Sequence, residues 1–285
     1  MQIIRTVTEM QARARSLVRR GRSIGLVPTM GYLHEGHVSL MRRARQECDS
    51  VVGSIFVNPT QFGPHEDFAR YPRDEEGDAK KCESADVDFL FMPSAGEMYP
   101  EKPAVFVDVE GITTVLEGSI RPGHFRGVAT VVAKLFNIVR PTKAFFGQKD
   151  FQQCAVIKRM AAGLNMDVEI VVLPTVREQD GLAMSSRNSY LNPDERRAAA
   201  VIFRALTAAE QLARAGVREP EKVKNKTLAM LKEVAGLTVD YVEVADPQTL
   251  APLAEMKGDA VILVAVRLGR TRLIDNLLIT SDPSR

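Results

Sequence analysis

Cysteine is scarce and unpaired in this chain of 285 residues. Its three cysteines, Cys48, Cys82 and Cys154, form no CxxC and no even framework. That argues against a disulfide scaffold or a cysteine-held structural zinc and points to a reducing compartment. An excess of one charge is lacking too. The 38 Lys and Arg against 36 Asp and Glu leave a formal net charge of +2, without the concentrated basic stripe of a nucleic-acid surface, so no nucleic-acid partner is expected. Long apolar runs are also missing. The longest, "AVILVAV" at 260–266, is far shorter than the roughly 20 residues a spanning helix needs, so no membrane partner is expected. There is no internal repeat and no low-complexity segment. The sequon Asn225-Lys226-Thr227 is incidental in a chain expected to be cytoplasmic.

What is present is ordinary globular composition, 45% hydrophobic and 26% charged, enough for one large domain or two smaller ones. The Arg-rich stretch "RTVTEMQARARSLVRRGR" resembles a transit peptide in composition. However, Ile3-Ile4 before it reads as a strand, Thr8 with Gln11 as a capping box, and Met10, Ala14, Leu17 and Val18 as one apolar helical face. It is read as the first helix of the fold.

Strand-like runs then alternate with helical patterns: "IGLVPT" (24–29), helix 37–48, "SVVGSIFVN" (50–58), helix 74–85, "VDFLFMP" (87–93), a strong helix ending near 139, "KAFFG" (143–147), helix 151–164, and "DVEIVVLPT" (167–175). In the strong helix, Val128, Val131, Val132, Leu135, Phe136 and Val139 keep helical spacing. Such alternation predicts an α/β fold: a Rossmann-like parallel sheet with helices on both faces. The pattern changes after about residue 188. Asn192-Pro193-Asp194-Glu195 is a strong helix start. Helices are expected over 193–215 and 220–235, then strand 238–246, a short helix around "LAPLAEM", and strands 259–269 and 271–279. The reading divides the chain into residues 1–175, a Rossmann-like domain, and residues 176–285, a smaller C-terminal α+β domain with an antiparallel sheet.

Histidine is nearly as scarce as cysteine, yet two of the four stand three residues apart in "VPTMGYLHEGHVSLM". Three readings compete for His34 and His37. Zincins use H-E-x-x-H, and H-E-G-H is one residue short with no third ligand evident. A helix N-terminus with Gly31 and Gly36 close by suits an anion, and a strand-to-helix turn is where open α/β sheets bind ligands. Two surface histidines at a helix cap are the plainest reading. Three further stretches bear on the choice. "FVNPTQFGPHEDFARYPRD" places the amides of Asn58 and Gln61 at a strand end, suited to hydroxyls or a carboxylate, although Asn-Pro is also a plain turn signal. "FFGQKDFQQ" places Gly147, Lys149 and Asp150 where a strand becomes a helix, with Gln153 one turn on; an acidic helix cap would look the same. "DGLAMSSRNSYL" gathers Ser185, Ser186 and Arg187, which could close over phosphates or simply form a polar linker.

The histidine-glycine-histidine turn resembles the HIGH motif, and "MSSR" resembles the KMSKS loop of the same nucleotidyltransferase superfamily. Within it, "PTMGYLHEGHVSLM", "FVNPTQFGPHEDFARYPRD", "RPGHFRGVATVVAKLFNIVRP", "FFGQKDFQQ" and "DGLAMSSRNSYL" closely resemble the pantoate–β-alanine ligase (pantothenate synthetase) family, through nearly all of the chain to about residue 192 and more loosely beyond. Gln148 stands where many relatives have Glu. The resemblance implies ATP-dependent condensation of pantoate with β-alanine through pantoyl adenylate, releasing AMP and pyrophosphate, with Mg²⁺ held mostly by phosphates. By motif, it implies that His34, His37, Lys149 and Arg187 are catalytic. The ATP site would comprise Met30, Gly31, Tyr32, Leu33, His34, Glu35, Gly36 and His37; Gly147, Gln148, Lys149 and Asp150; and Val176, Met184, Ser185, Ser186 and Arg187. Within it, Val176 and Met184 flank the adenine, and Gly147 and Asp150 hold the ribose. Gln61 and Gln153 would bind pantoate, Gln61 also β-alanine, with Asn58 a weaker candidate. No metal ligand is implied, although Asp74 and Asp78 stand in a plausible place. His124 and Arg126 support the site or shape a loop. The family is usually a homodimer. A different adenylating enzyme and an ATP-sensing binding protein remain as rival classes.

Overall fold

The computed structural model describes residues 1–280. The chain forms two compact units, one of Met1–Gly147 with Gln152–Pro174, the other of Gln148–Phe151 with the chain from Thr175 onward. In the first unit, in chain order, lie β1 (Gln2–Ile4), α1 (Val7–Arg19), β2 (Ile24–Thr29), α2 (Glu35–Glu47), β3 (Ser50–Ile55), α3 (Glu75–Ser84), β4 (Phe89–Phe91), α4 (Ala95–Met98), α5 (Glu117–Ile120), α6 (His124–Val139), β5 (Lys143–Gly147), α7 (Phe151–Gly163) and β6 (Glu169–Leu173). The strands make one parallel sheet in the order β1-β4-β3-β2-β5-β6. Helices cover both faces, so the inner strands are continuous apolar runs rather than alternating ones. Val27, Val51, Leu90 and Phe145 of the sheet bury themselves with Val38, Met41 and Ala44 of α2 and Cys82 beside α3's end. The Cys82 thiol is pushed up to about 12 by burial, which keeps it an inert core group.

After β2 the chain builds outward through β3 and β4, then returns to place β5 on the other side of β2. That reversal is the topological switch point. In open α/β sheets the crevice at the carboxyl ends of the strands there is where ligands bind. The loops leaving β2 and β3 carry the histidine turn and Asn58–Gln61, and β5 ends on Gly147.

The second unit holds α8 (Pro193–Ala199), α9 (Val201–Arg214), α10 (Pro220–Lys232) and the antiparallel sheet β7 (Leu237–Ala245), β8 (Ala260–Leu268) and β9 (Thr271–Ile279), in that order. Its core joins Ile202, Leu206, Val223 and Leu231 to Ile262 and Val264.

Four local expectations need correction. The N-cap of α1 is Thr6, whose hydroxyl accepts from Glu9 N–H at 3.3 Å, so no Thr8–Gln11 box forms. Val18 is 40% exposed rather than part of the buried face. The helix expected over 193–215 breaks between α8 and α9 at Ala200. "LAPLAEM" is not helical: Leu250 has φ 57°, and Pro252 bridges to Ala245 as an isolated β-bridge. Asp246 organises this turn by accepting from the Gln248 and Thr249 N–H groups at 3.0 and 2.7 Å. Among the described residues no helix is long and apolar enough to cross a membrane.

Candidate active site

The loop from β2 into α2 is held from below by one buried carboxylate. Asp78, on α3 and 1% exposed, accepts from Tyr32 N–H on Oδ2 and from Leu33 N–H on Oδ1, both at 2.7 Å. Burial pushes its carboxyl above the usual range, and the two N–H bonds work against that shift. Thr29 Oγ1 accepts from Gly31 N–H at 3.2 Å and donates to Ser54 O at 2.8 Å. Gly31 has φ +83°, and a Cβ there would press on Ile55 Cγ2 at 3.0 Å and Asp78 Oδ2 at 3.1 Å, so a side chain would strain both backbone and packing. Tyr32 adopts the left-handed region at φ 50°, which costs a non-glycine residue about 1–2 kcal/mol. The N–H groups of residues 31–33 are therefore spent on shaping the loop. Leu33 is core, and Glu35 pairs with Arg42 on an exposed face of α2.

His34 is the N-cap residue of α2 and His37 lies in its first turn. Their ring centroids are 4.1 Å apart. His34 N–H donates to His37 Nδ1 at 3.3 Å, which assigns the neutral ring's proton to Nε2 and makes that nitrogen a donor.

The turn after β3 is equally determined. Asn58 Oδ1 accepts from the Thr60 hydroxyl and the Tyr99 hydroxyl, both at 2.9 Å. Its Nδ2 donates to Gln61 Oε1 at 3.1 Å and Gly127 O at 3.2 Å. Asn58 is thus used by the protein itself, and its work is to set Gln61. The Gln61 Nε2 approaches Met30 Sδ at 3.1 Å, which brings the first two sequence stretches into contact. Gly127 lets α6 lie against this turn, since a Cβ there would stand 2.4 Å from Thr60 O.

His124 supports the same turn. Burial, then the neighbouring Arg121 guanidinium, push its pKa down to about 4, so the ring is neutral at ordinary pH. Arg121 Nη1 donates to Nε2 at 3.0 Å, so Nδ1 carries the proton and donates to Gln61 O at 2.9 Å. Arg121 is anchored in turn by a two-pronged pair with Glu66 at 2.6 and 2.8 Å. Arg126 takes no part in this chain and stacks over Phe106 at 4.1 Å. Gln153 lies in the first turn of α7, while its neighbour Gln152 is buried and bonded to Ile112 O, Val115 O and Glu117 N–H.

In the second unit, Val176 and Met184 are joined, Met184 N–H donating to Val176 O at 3.0 Å across a short hairpin. From there the chain enters a 3-10 turn, Ser186–Tyr190, capped by Ser185 Oγ accepting from Arg187 N–H at 3.3 Å. Gln148, Lys149 and Asp150 form another 3-10 turn, with Lys149 Nζ 3.5 Å from Asp150 Oδ1. Asn276 Nδ2 donates to the carbonyls of Gln148 and Lys149, both at 2.9 Å.

The plausible metal position does not fit. Asp78 has both oxygens on backbone N–H groups, and Asp74 caps α3 through Gly77 N–H at 3.0 Å. Among the described residues there is no group of three or more His, Cys, Asp or Glu side chains able to hold a metal ion. Sequence reasoning missed Asp78 as a loop clamp, Tyr99, and the residues of β9. All are common residue types lying far along the chain from what they hold.

A profile of the family described as "Pantoate-beta-alanine ligase" matches residues 2–278. The curated "Pantothenate synthetase" of Pelotomaculum thermopropionicum is 56% identical over 279 residues, covering 98% of this chain and 99% of that protein. The chain belongs to the pantoate-beta-alanine ligase family. The crystal structure of pantothenate synthetase from Thermus thermophilus superposes with a TM-score of 0.94 at 48% identity, covering 98% of this chain and 100% of that one. That of pantoate-beta-alanine ligase from Francisella tularensis, complexed with beta-gamma ATP and beta-alanine, has a TM-score of 0.82 at 34% identity and 99% coverage of each chain. The α/β architecture expected from the sequence is thus the family's.

Proposed function

We propose that the chain joins pantoate to β-alanine in two ATP-dependent steps. The pantoate carboxylate attacks the α-phosphorus of ATP and expels pyrophosphate, giving pantoyl adenylate. The β-alanine amine then attacks the acyl carbon, loses a proton, and expels AMP as the amide forms. The observation that carries the reading, beyond family membership, is the contact of Gln61 with Met30. It supports the reading because the residue to which we give pantoate lies against the loop to which we give the nucleotide, as an attack of carboxylate on the α-phosphorus requires.

Most of the catalytic demand in such a transfer is positioning and charge stabilisation. His37 and His34, at the head of α2, donate to phosphate oxygens as negative charge builds. Lys149 and Arg187 hold the leaving pyrophosphate, with Ser185 and Ser186 beside it. Gly147 and Asp150 hold the ribose, with Gln148 in the same turn, and Val176 and Met184 flank the adenine. Gln61 and Gln153 read pantoate, and Gln61 also meets β-alanine. Mg²⁺ bound with ATP would be held mostly by phosphate oxygens and would offset their charge. The domain of residues 176–285 acts as a lid over that of residues 1–175, excluding water from a hydrolysable adenylate. We place the enzyme in the cytoplasm as a homodimer.

The test is isotope exchange between pyrophosphate and ATP in the purified protein. Exchange that requires pantoate, with one AMP formed per amide once β-alanine is added, is expected. Exchange driven by another carboxylic acid, or by none, would replace this reading with a different adenylating enzyme or an ATP-binding sensor.

A further inference from the structure

Strand β9 carries two adjacent polar residues, Asp275 and Asn276, that are 3% and 2% exposed in an otherwise apolar sequence, "LIDNLLI". Burying polar groups is costly unless they are hydrogen-bonded, so their partners indicate their purpose. In the ladder with β8 Asn276 stands opposite Leu263, and its own N–H donates to Asp275 Oδ1 at 2.8 Å. The side chains reach elsewhere. Asp275 takes a two-pronged bond from Arg177, at 2.6 and 3.0 Å, and Arg177 Nη1 also donates to Gly181 O at 3.0 Å. Asn276 turns to a segment about 127 residues away in the chain. Its Nδ2 bonds the carbonyls of Gln148 and Lys149, each at 2.9 Å, and its Oδ1 accepts from Gln148 Nε2 at 3.2 Å.

We propose that Asn276 is a positioning residue for the adenylation step, fixing the Gln148–Lys149 backbone so that the Lys149 ammonium is presented to the nucleotide phosphates. The proposal rests on the role given to Lys149 above. Two converging carbonyls and one amide donor call for a group with two N–H donors and one acceptor, which is a primary carboxamide. Aspartate would set a carboxylate against two carbonyl oxygens. Alanine would leave both carbonyls without their donor, and serine has a single hydrogen for two. A strand needs none of this chemistry to fold: leucine or valine would serve β9 better. A turn that must hold a lysine within a fraction of an ångström does need it, since a displacement of 1 Å can cost about a hundredfold in rate.

The experiment is pantoate-dependent ATP–pyrophosphate exchange with Asn276→Ala, Asn276→Ser and the isosteric Asn276→Asp, alone and combined with Lys149→Ala, each checked for its folded fraction by circular dichroism. With Lys149 present, Asn276→Ala and Asn276→Asp should raise the KM for ATP and lower kcat/KM by about ten- to a hundredfold. Asn276→Ser should fall between these variants and the wild type, and the pantoate KM should stay within about twofold. In the Lys149→Ala background the same substitutions should cost less than about a further twofold, because the amide acts through the lysine. Equal losses in both backgrounds, or a loss in kcat alone that tracks the folded fraction, would overturn the proposal in favour of plain structural support. Unchanged kinetics in the Lys149→Ala single variant would instead remove the role of Lys149 itself.

Discussion

Asp78→Asn tests whether the histidine loop is held in shape from α3. In the native loop one carboxylate satisfies two adjacent N–H groups at 2.7 Å each. Hydrogen bonds to a charged group contribute about 1.5–3 kcal/mol each, and a buried donor left without a partner costs about 1–3 kcal/mol. Asparagine keeps one acceptor and turns an NH₂ toward the other N–H, so it loses one bond and strands one donor. Part of this is offset, because burial already disfavours the charge of Asp78 and pushes its carboxyl upward. A net loss of about 2 kcal/mol is expected. It falls on a loop that also carries the left-handed Tyr32 at φ 50°, so the loop should relax locally before the domain unfolds. About 2 kcal/mol is roughly a thirtyfold change in the ratio of ordered to relaxed loop, which sets the upper limit on the drop in apparent ATP affinity. Asp78→Ala should lose more on both counts. The assay is the ATP KM in pyrophosphate exchange beside urea unfolding. Wild-type values of both in Asp78→Asn would refute the clamp. Restoration of activity by excess Mg²⁺ would refute it differently, by making Asp78 a metal ligand.

The remaining predictions concern the histidine pair, Gln61 and His124. His37→Ala and His34→Ala should each slow adenylate formation in single turnover by about a hundred- to a thousandfold while leaving urea unfolding near wild type, as expected for loss of a preorganised donor; a loss under about fivefold for both would remove their role. Gln61→Ala should weaken pantoate far more than ATP in calorimetry, and the reverse order would break the pocket assignment. His124 titrates at about 4 in the fold and near 6.5 when unfolded. Between those values the unfolded chain takes up the proton and the folded one does not. Its contribution is therefore intact above pH 6.5, falls as pH falls through the window, and is lost below about 4, a change of about 3 kcal/mol. Urea unfolding from pH 7 to 4.5 should show wild type losing more stability than His124→Asn, and parallel curves would contradict the neutral-ring assignment.

The fold was legible because its signal is periodic and local. Buried parallel strands leave apolar runs such as "IGLVPT" and "KAFFG", and α6 leaves a helical stripe. The errors arose where local spacing imitated a period. The short helix expected around "LAPLAEM" does not form: Asp246 pulls the preceding N–H groups into a turn, and Met256 N–H bonds Arg218 O at 2.9 Å instead of an earlier carbonyl of its own segment. Residues 193–215 carry an unbroken helical pattern, and nothing in their types marks the break at Ala200. Thr6 and Thr8 can each cap a helix, and which one does is decided by where β1 ends.

The site divides along a different line. Residues suited to touching ligand are uncommon types at strand ends, and two histidines around a glycine stand out in a chain with four. Residues that hold them are common types placed by the fold. Asp78 sits 46 residues from Tyr32, and Asn276 sits 127 from Lys149. Two neighbouring pairs show the consequence. Asn58 and Gln61 are both amides in "NPTQ", and Gln152 and Gln153 are identical in type, so residue chemistry alone assigns either member to a ligand. Tertiary partners separate them. Both ends of Asn58 are committed to Thr60, Tyr99, Gln61 and Gly127, and Gln152 is committed to three backbone groups around α5. An amide saturated by its own protein would have to break those bonds to meet a substrate, losing about 1 kcal/mol or more for each. The role proposed for Gln61 asks less of it: its carbonyl end is anchored by Asn58, its backbone is pinned by His124, and its Nε2 meets only the thioether of Met30, a weak acceptor. The order lost in fixing Gln61 has been supplied by folding, before pantoate arrives.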